Sequence, residues 1–300
     1  MRITQSMIDR NLAFSLNDSY EQLSKLNTEL STGKKVNTVS DDVPAAEQIM
    51  QLQRENSQLT AYTQNLGTVN TTMSMATSSL TAISNDLSQA KELAVQAATG
   101  TYNGTDRQAM AAGVDGVLSS LLEQANVQND GAYIFSGQAT STAPYAATTD
   151  ANGQIQSVTY NGAATNTEVA VGPRTQASAN YVGSGVFQKN SDLFSTIIAL
   201  RDAINNNDIS QVNNLIGQLD TSSADVLSSL GMMGARQSQL QVLSTATQSF
   251  QQLNSQAISD KQDADVATVA VQYNSQMALL QMVLKETAEA IQPTLANFLS

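Results

Sequence analysis

The sequence predicts a mainly α protein: a long antiparallel coiled-coil helical rod built from both chain ends, with a small β-rich central insertion. Three observations carry this prediction. Apolar residues recur every three or four positions along both flanks of the 300-residue chain. Residues 131–190 abandon that period for short β-prone runs set between Gly, Pro, Asn and Thr. Only 13% of residues are charged, and Ala, Ser, Thr, Gln and Asn are abundant, so the apolar residues are dispersed. Such a composition suits helices that bury narrow stripes against each other.

The first helix shows its seam in Ile8, Leu12, Leu16, Tyr20, Leu23, Leu26 and Leu30, and stops at Gly33, which tolerates a left-handed backbone. The stretch "LSTGKKVNTVSDDVPAAEQI" then reads as a connector. Gly33 ends one helix and Asp41, Asp42 and Pro44 begin the next, since carboxylates meet the free N–H groups of a first turn and proline loses nothing there. Lys34 and Lys35 lie between and are candidates for contact with a neighbouring molecule.

A heptad runs from Leu52 through Leu59, Tyr62, Leu66, Val69, Met73, Ala76, Leu80, Ile83, Leu87 and Ala90 to Ala94. Some fifty helical residues at about 1.5 Å rise give a rod of roughly 75 Å. Gly100 and Gly104 end it. Thr105-Asp106-Arg107-Gln108 reads as a capping box opening a helix with Met110, Val114, Val117, Leu121 and Ala125, which stops at the Asp130-Gly131 turn.

The runs "GAYIFSG", "GQIQSVTYNG", "TEVAVGP" and "SGVF" predict a thin-cored β insertion that leans on the helices or on neighbours. Helices resume with Leu193, Ile197 and Ile204. Asp208 and Gln211 cap the next stripe, which continues through Val212, Ile216, Leu219, Val226 and Leu230. "LGMMGAR" (230–236) predicts a turn or bend before Leu240, Leu243, Phe250, Leu253 and Ala257. The last seam is Val266, Val269, Tyr273, Met277, Leu280, Leu284 and Ile291, which Pro293 should terminate or kink before Leu295 and Phe298. The division expected is therefore residues 1–43, an N-terminal tube helix and connector; 44–130, the first half of a rod; 131–190, an outer β-rich domain; 191–259, the second half of the rod; and 260–300, a C-terminal tube helix.

Composition excludes several classes of chemistry. Without Cys or His there is no thiolate nucleophile, imidazole base or usual zinc site. A net charge of −12 and a pI near 4.3 oppose binding to nucleic acid. The N-terminus lacks the apolar core and cleavage site of a Sec signal, and no apolar run of about 18 residues could span a bilayer. Gly33-Lys34-Lys35 lacks the upstream glycine and following hydroxyl of a phosphate loop. Asp41 and Asp42 could form an acid–base pair, but capping explains them. "DKQDAD" (260–265) lacks the glycine and distal glutamate of a calcium loop and reads as a helix start or hinge. No catalytic, cofactor-binding or metal residue is predicted. Both terminal seams need a partner, either each other or a neighbouring subunit.

"MRITQSMI", "LNTELSTGKKVNTVSDDVPAAEQI", "GAYIFSGQAT", "VTYNG", "GARQSQLQVL" and "LANFLS" together resemble the bacterial flagellin superfamily, and within it the branch that joins hook to filament. Val43 departs from the pattern, where Asp more often runs directly into Pro. The resemblance implies terminal helices forming a coiled-coil inner tube, a surrounding helical domain and an outermost β insert. It implies a ring of like subunits between a hook-associated protein and flagellin. It further implies a secreted, extracellular location, export unfolded through the flagellar type III apparatus, and an export chaperone on the C-terminal helix. Flagellin itself is the near alternative, and a secreted helical effector or adhesin with a coiled-coil stalk the more distant one.

Overall fold

The computed structural model describes residues 5–100 and 102–296. Three helices come first, α1 (Gln5–Thr32), α2 (Val43–Ala98) and α3 (Gly104–Ala125). Strands β1 (Gln128–Asn129), β2 (Ala132–Tyr133), β3 (Tyr145–Thr149), β4 (Ile155–Tyr160), β5 (Glu168–Gly172) and β6 (Thr175–Ser178) follow. Then come α4 (Ser184–Phe187), α5 (Leu193–Asn205), α6 (Ile209–Gln262) and α7 (Val266–Ala296). The chain divides into two compact units, residues 1–58 with 250–300, and residues 59–249. No described helix is long and apolar enough to cross a membrane.

The unit of residues 59–249 is organised by the α2 heptad. Leu66, Val69, Met73, Ala76, Leu80, Ile83, Leu87, Ala90 and Ala94 alternate steps of three and four, and none is more than 3% exposed. Against them pack Val114, Val117, Leu118 and Leu121 of α3, Leu193, Ile197 and Leu200 of α5, and Val212, Leu219 and Val226 of α6. Gly113 lets α3 approach closely, since an added Cβ would lie 3.1 Å from Leu93 Cδ1.

The strands form three separate antiparallel hairpins, β1–β2, β3–β4 and β5–β6. Asp130 (φ 49°) and Gly131 (φ 78°) supply the two left-handed residues that a tight β1–β2 turn requires. Two-stranded hairpins hold little core of their own, and these share the helical one. Phe135, Tyr145, Val158, Val171 and Phe187 belong to the same cluster as the helices, and Tyr145 stacks at 4.8 Å from Phe194 of α5. Asn126, which caps the C-terminus of α3, exchanges two hydrogen bonds with the Tyr145 backbone (2.9 and 3.0 Å).

Arg201 joins helix to hairpin. Only 2% exposed, it donates to the Ile155 carbonyl of β4 (2.6 Å), to Asp115 of α3 (3.1 Å) and to Asp202 (2.8 Å). A charge this buried is tolerated because its donors are satisfied.

Five local expectations need correction. "LGMMGAR" makes no turn, because α6 is one continuous helix from Ile209 to Gln262. Gly231 and Gly234 face open space while Met233 between them is buried, so tertiary packing overrides the weak propensity of glycine. The cap of α3 is Asn103 with Asp106 in a reciprocal box, not Thr105 with Gln108. That helix ends at Ala125, five residues before the Asp130-Gly131 turn. Phe250 and Leu253 of α6, expected on the buried stripe, are 57% and 63% exposed. Helix α7 also continues through Pro293 to Ala296; Phe298 lies outside the described residues.

Candidate assembly interface

In the unit of residues 1–58 and 250–300, α1 and α7 pack along each other. Their direction follows from the antiparallel bridge between Lys34 and Asp263, which brings the end of α1 to the start of α7. On α1 the residues turned away from solvent are Leu12, Leu16, Ser19, Leu23, Leu26 and Leu30. On α7 they include Val269, Tyr273, Gln276, Met277, Leu280, Val283 and Thr287. Counted outward from the bridge, Leu30, Leu26, Leu23, Ser19, Leu16 and Leu12 step by four, three, four, three and four. Val269, Tyr273, Gln276, Leu280, Val283 and Thr287 step identically. Two helices with the same alternation hold one seam over their shared length. The order aligns Ser19 with Leu280, a small side chain with a large one, and these are 7% exposed each.

The structure thus brings together Leu12, Leu16, Leu23, Leu26, Leu30, Val269, Tyr273, Met277 and Leu280 of the expected seam. Three expected members lie off it. Tyr20 is 50% exposed and Ser19 takes the buried place; Val266 and Leu284 are 50% and 43% exposed, with Val283 turned inward. The pairing of α7 with α1 sets this phase, and an apolar neighbour one position away could satisfy the same three/four spacing. Ile8 and Ile291 lie in their helices, but their side chains are outside the described set.

The pairing leaves much apolar surface uncovered. On α1, Met7 and Phe14 are 55% and 68% exposed, one heptad apart. On α7, Val271, Leu279, Met282 and Leu284 are 66%, 48%, 55% and 43% exposed. Helix α7 thus carries apolar side chains on its solvent side as well as along the seam.

The connector is held within its own unit. Gly33 has φ +69° and its N–H donates to the Glu29 carbonyl (2.8 Å), closing α1. The Lys35 N–H donates to the Gln262 carbonyl (2.7 Å), and the Ala264 N–H to the Gly33 carbonyl (2.8 Å). The Lys35 ammonium donates to the Asp260 carbonyl (3.0 Å), where α6 leaves unpaired acceptors and the negative end of its dipole. Lys34 keeps an exposed side chain.

Asp41 and Asp42 have different tasks. Asp42 caps α2, accepting from the Ala45 N–H (3.0 Å), with Pro44 in the first turn. Asp41 turns back into the loop and accepts from the N–H groups of Thr38 (2.7 Å) and Asn37 (2.9 Å), which hold its carboxyl below the usual range. Val36, Ala46 and Ile49 close over the junction with Ile258. Asp265 caps α7 through Thr268 and Ala267, so "DKQDAD" is a helix–helix junction. Among the described residues no group of three acidic side chains converges to hold a metal ion.

Residues 3–140 match the bacterial flagellin N-terminal helical region. Over 147 residues the chain is 33% identical to flagellar hook-associated protein 3 of Salmonella typhimurium, covering 48% of this chain and 46% of that one. The chain spans about half the length of the curated relatives it matches. The fold resembles a solved putative flagellar hook-associated protein from Vibrio parahaemolyticus (TM-score 0.66, 23% identity, 74% of this chain and all of that one). It also resembles the flagellar junction protein from Legionella pneumophila (TM-score 0.59, 17% identity, 72% of this chain and all of that one). Long helices from both ends of the chain, with small antiparallel sheets between, are the architecture these solved structures share with it.

Proposed function

We propose that this protein is a structural, non-catalytic component of the bacterial flagellum that joins hook to filament as a ring of like subunits. The observation that carries this reading is α7: after pairing with α1, it still presents Val271, Leu279, Met282 and Leu284 to solvent. Leaving several large side chains in water forgoes about 1.5–3 kcal/mol each, so the pair is built to be covered by neighbouring copies. The expected division into terminal tube helices (1–43 and 260–300), rod halves (44–130 and 191–259) and an outer β domain (131–190) belongs to this proposal. So do the seam residues, including Val266, Leu284 and Ile291, as contacts between subunits. The connector sets the tube helices relative to the start of α2, with Lys34 the lysine free to meet a neighbour.

Its partners in this reading are a hook-associated protein on one side and flagellin on the other. The chain leaves the cell by flagellar type III export with a chaperone on α7, and acts outside it. Deleting the gene should leave hooks intact while flagellin is shed into the medium; normal filaments in that strain would overturn the junction reading. Immunogold labelling should give one band at the end of the hook. Label along the whole shaft would assign the chain to the filament instead.

A further inference from the structure

The unit of residues 59–249 contains a groove of about 620 Å³ between α6 and the β5–β6 hairpin that no role above uses. Its floor is apolar, with Met73 of α2 and Leu240, Leu243 and Ala246 of α6. Val242 stands on its wall 69% exposed. The opposite wall is the whole of β6, Thr175–Ser178, which pairs with β5 on one side and with no described strand on the other. A strand with one free edge beside an apolar trough is the arrangement that accepts an added strand, with backbone bonds along the edge and side chains entering the trough.

Charge indicates what enters. The chain carries 26 acidic and 14 basic residues, yet Arg236 lies exposed on this groove and makes no ion pair or hydrogen bond among the described residues. Arg174, next to the groove-lining Thr175, is likewise unpaired. The acid that does reach the groove, Glu168, already accepts from the Ser178 hydroxyl (2.6 Å). Tyr181, 6% exposed, lines the same groove with a phenol that has no hydrogen-bond partner among the described residues. Positive side chains therefore outnumber free carboxylates here, against the charge of the chain as a whole.

We infer that this groove docks an extended acidic segment of another polypeptide, which adds to the β6 edge, seats apolar side chains on Leu240 and Val242, and places a carboxylate on Arg236. Guanidinium and carboxylate form the strongest of the polar pairs available to such a site.

The test is fluorescence anisotropy of the full chain with a labelled pentapeptide, Val-Glu-Val-Asp-Val, against versions carrying Lys or Gln in place of the acids. The acidic peptide should bind about tenfold more tightly than the lysine version at low salt, an advantage that shrinks as salt rises. Arg236→Glu should reverse that order, and Val242→Asp should weaken all three. Both side chains are exposed, so unchanged circular dichroism and melting temperature would show the variants folded. Equal affinity for the acidic and lysine peptides, no binding at millimolar peptide, or indifference to Arg236→Glu would each overturn the inference. Concentration-dependent dimers that Arg236→Glu dissolves in sedimentation would also overturn it, by assigning the groove to a second copy of this chain.

Discussion

The α2 heptad and the α1–α7 seam follow the same rule of three and four, yet they end in different environments. Leu66 to Ala94 sink to 3% exposure or less because helices from α3, α5 and α6 and the hairpins surround them. Leu12 to Leu30 and most of their partners on α7 stop half-buried where the two helices pack along each other. The period of a stripe shows that a helix has a partner, and the depth of burial shows how many. The first stripe completes itself within the chain; the second leaves apolar side chains of α1 and α7 exposed.

The sharpest way to break that comparison is to charge the uncovered face. Leu279→Asp with Met282→Asp should abolish assembly into flagella, measured by electron microscopy and by recovery of the soluble chain, while the calorimetric transition of the free protein stays within about 0.5 kcal/mol. A large loss of monomer stability would show that these residues already have an intramolecular partner.

The next largest effect compares the two seams directly. Leu80→Ala on α2 should cost about 3 kcal/mol, since a fully buried leucine leaves a cavity its crowded neighbours cannot fill. Leu280→Ala on α7 should cost about 1 kcal/mol in the free chain, because its aligned partner is Ser19 and the two-helix contact relaxes easily. Equal losses in thermal unfolding would mean that α7 is as fully enclosed as α2.

The contrast also governs what could be read from residues alone. Along α2, a stripe of Leu, Val, Met and Ile between polar neighbours leaves one possible phase, and the whole series from Leu66 to Ala94 was legible. On α7, Val269, Tyr273 and Leu280 were legible too. Val283 and Leu284 are adjacent apolar residues, however, and only the pairing with α1 decides between them. Ser19 was invisible because its place in the seam comes from its size against Leu280, not its polarity. Arg201 escaped for a related reason: a charge after "LFSTIIAL" looks like the edge of a stripe. Only the fold brings Asp115 and the Ile155 carbonyl to it from 86 and 46 residues away. At the connector, Gly33, Asp42 and Pro44 act through local backbone rules. The partners of Lys35 and Asp41 needed the structure.

A smaller effect isolates the backbone at that connector. Gly33 sits at φ +69°, and an added Cβ would meet nothing within 4 Å. Gly33→Ala should therefore cost only the left-handed conformation, about 1 kcal/mol, visible as a lowered melting temperature without lost secondary structure. A cost of several kcal/mol would mean that the α1–α7 pair depends on the angle the connector sets.

The smallest effect is local and depends on pH. Asp41 and Asp265 are both held below their ordinary value of 3.8, Asp41 by the Thr38 and Asn37 N–H groups, Asp265 by the Thr268 hydroxyl and nearby N–H groups. A depressed carboxylate contributes its stabilisation fully above the unfolded value and loses it as pH falls through the folded one. Amide exchange at Asn37, Thr38, Ala267 and Thr268 should thus be slow at neutral pH and lose protection below about pH 3.8. The α2 amides between Leu66 and Ala94 should hold theirs, since hydrophobic burial rather than a carboxylate protects that stripe. Asp41→Asn should remove the pH step at Thr38 and leave the one at Thr268. If both steps vanish together, the two helix junctions open as one unit, and the connector and the start of α7 form a single cooperative hinge beneath the seam.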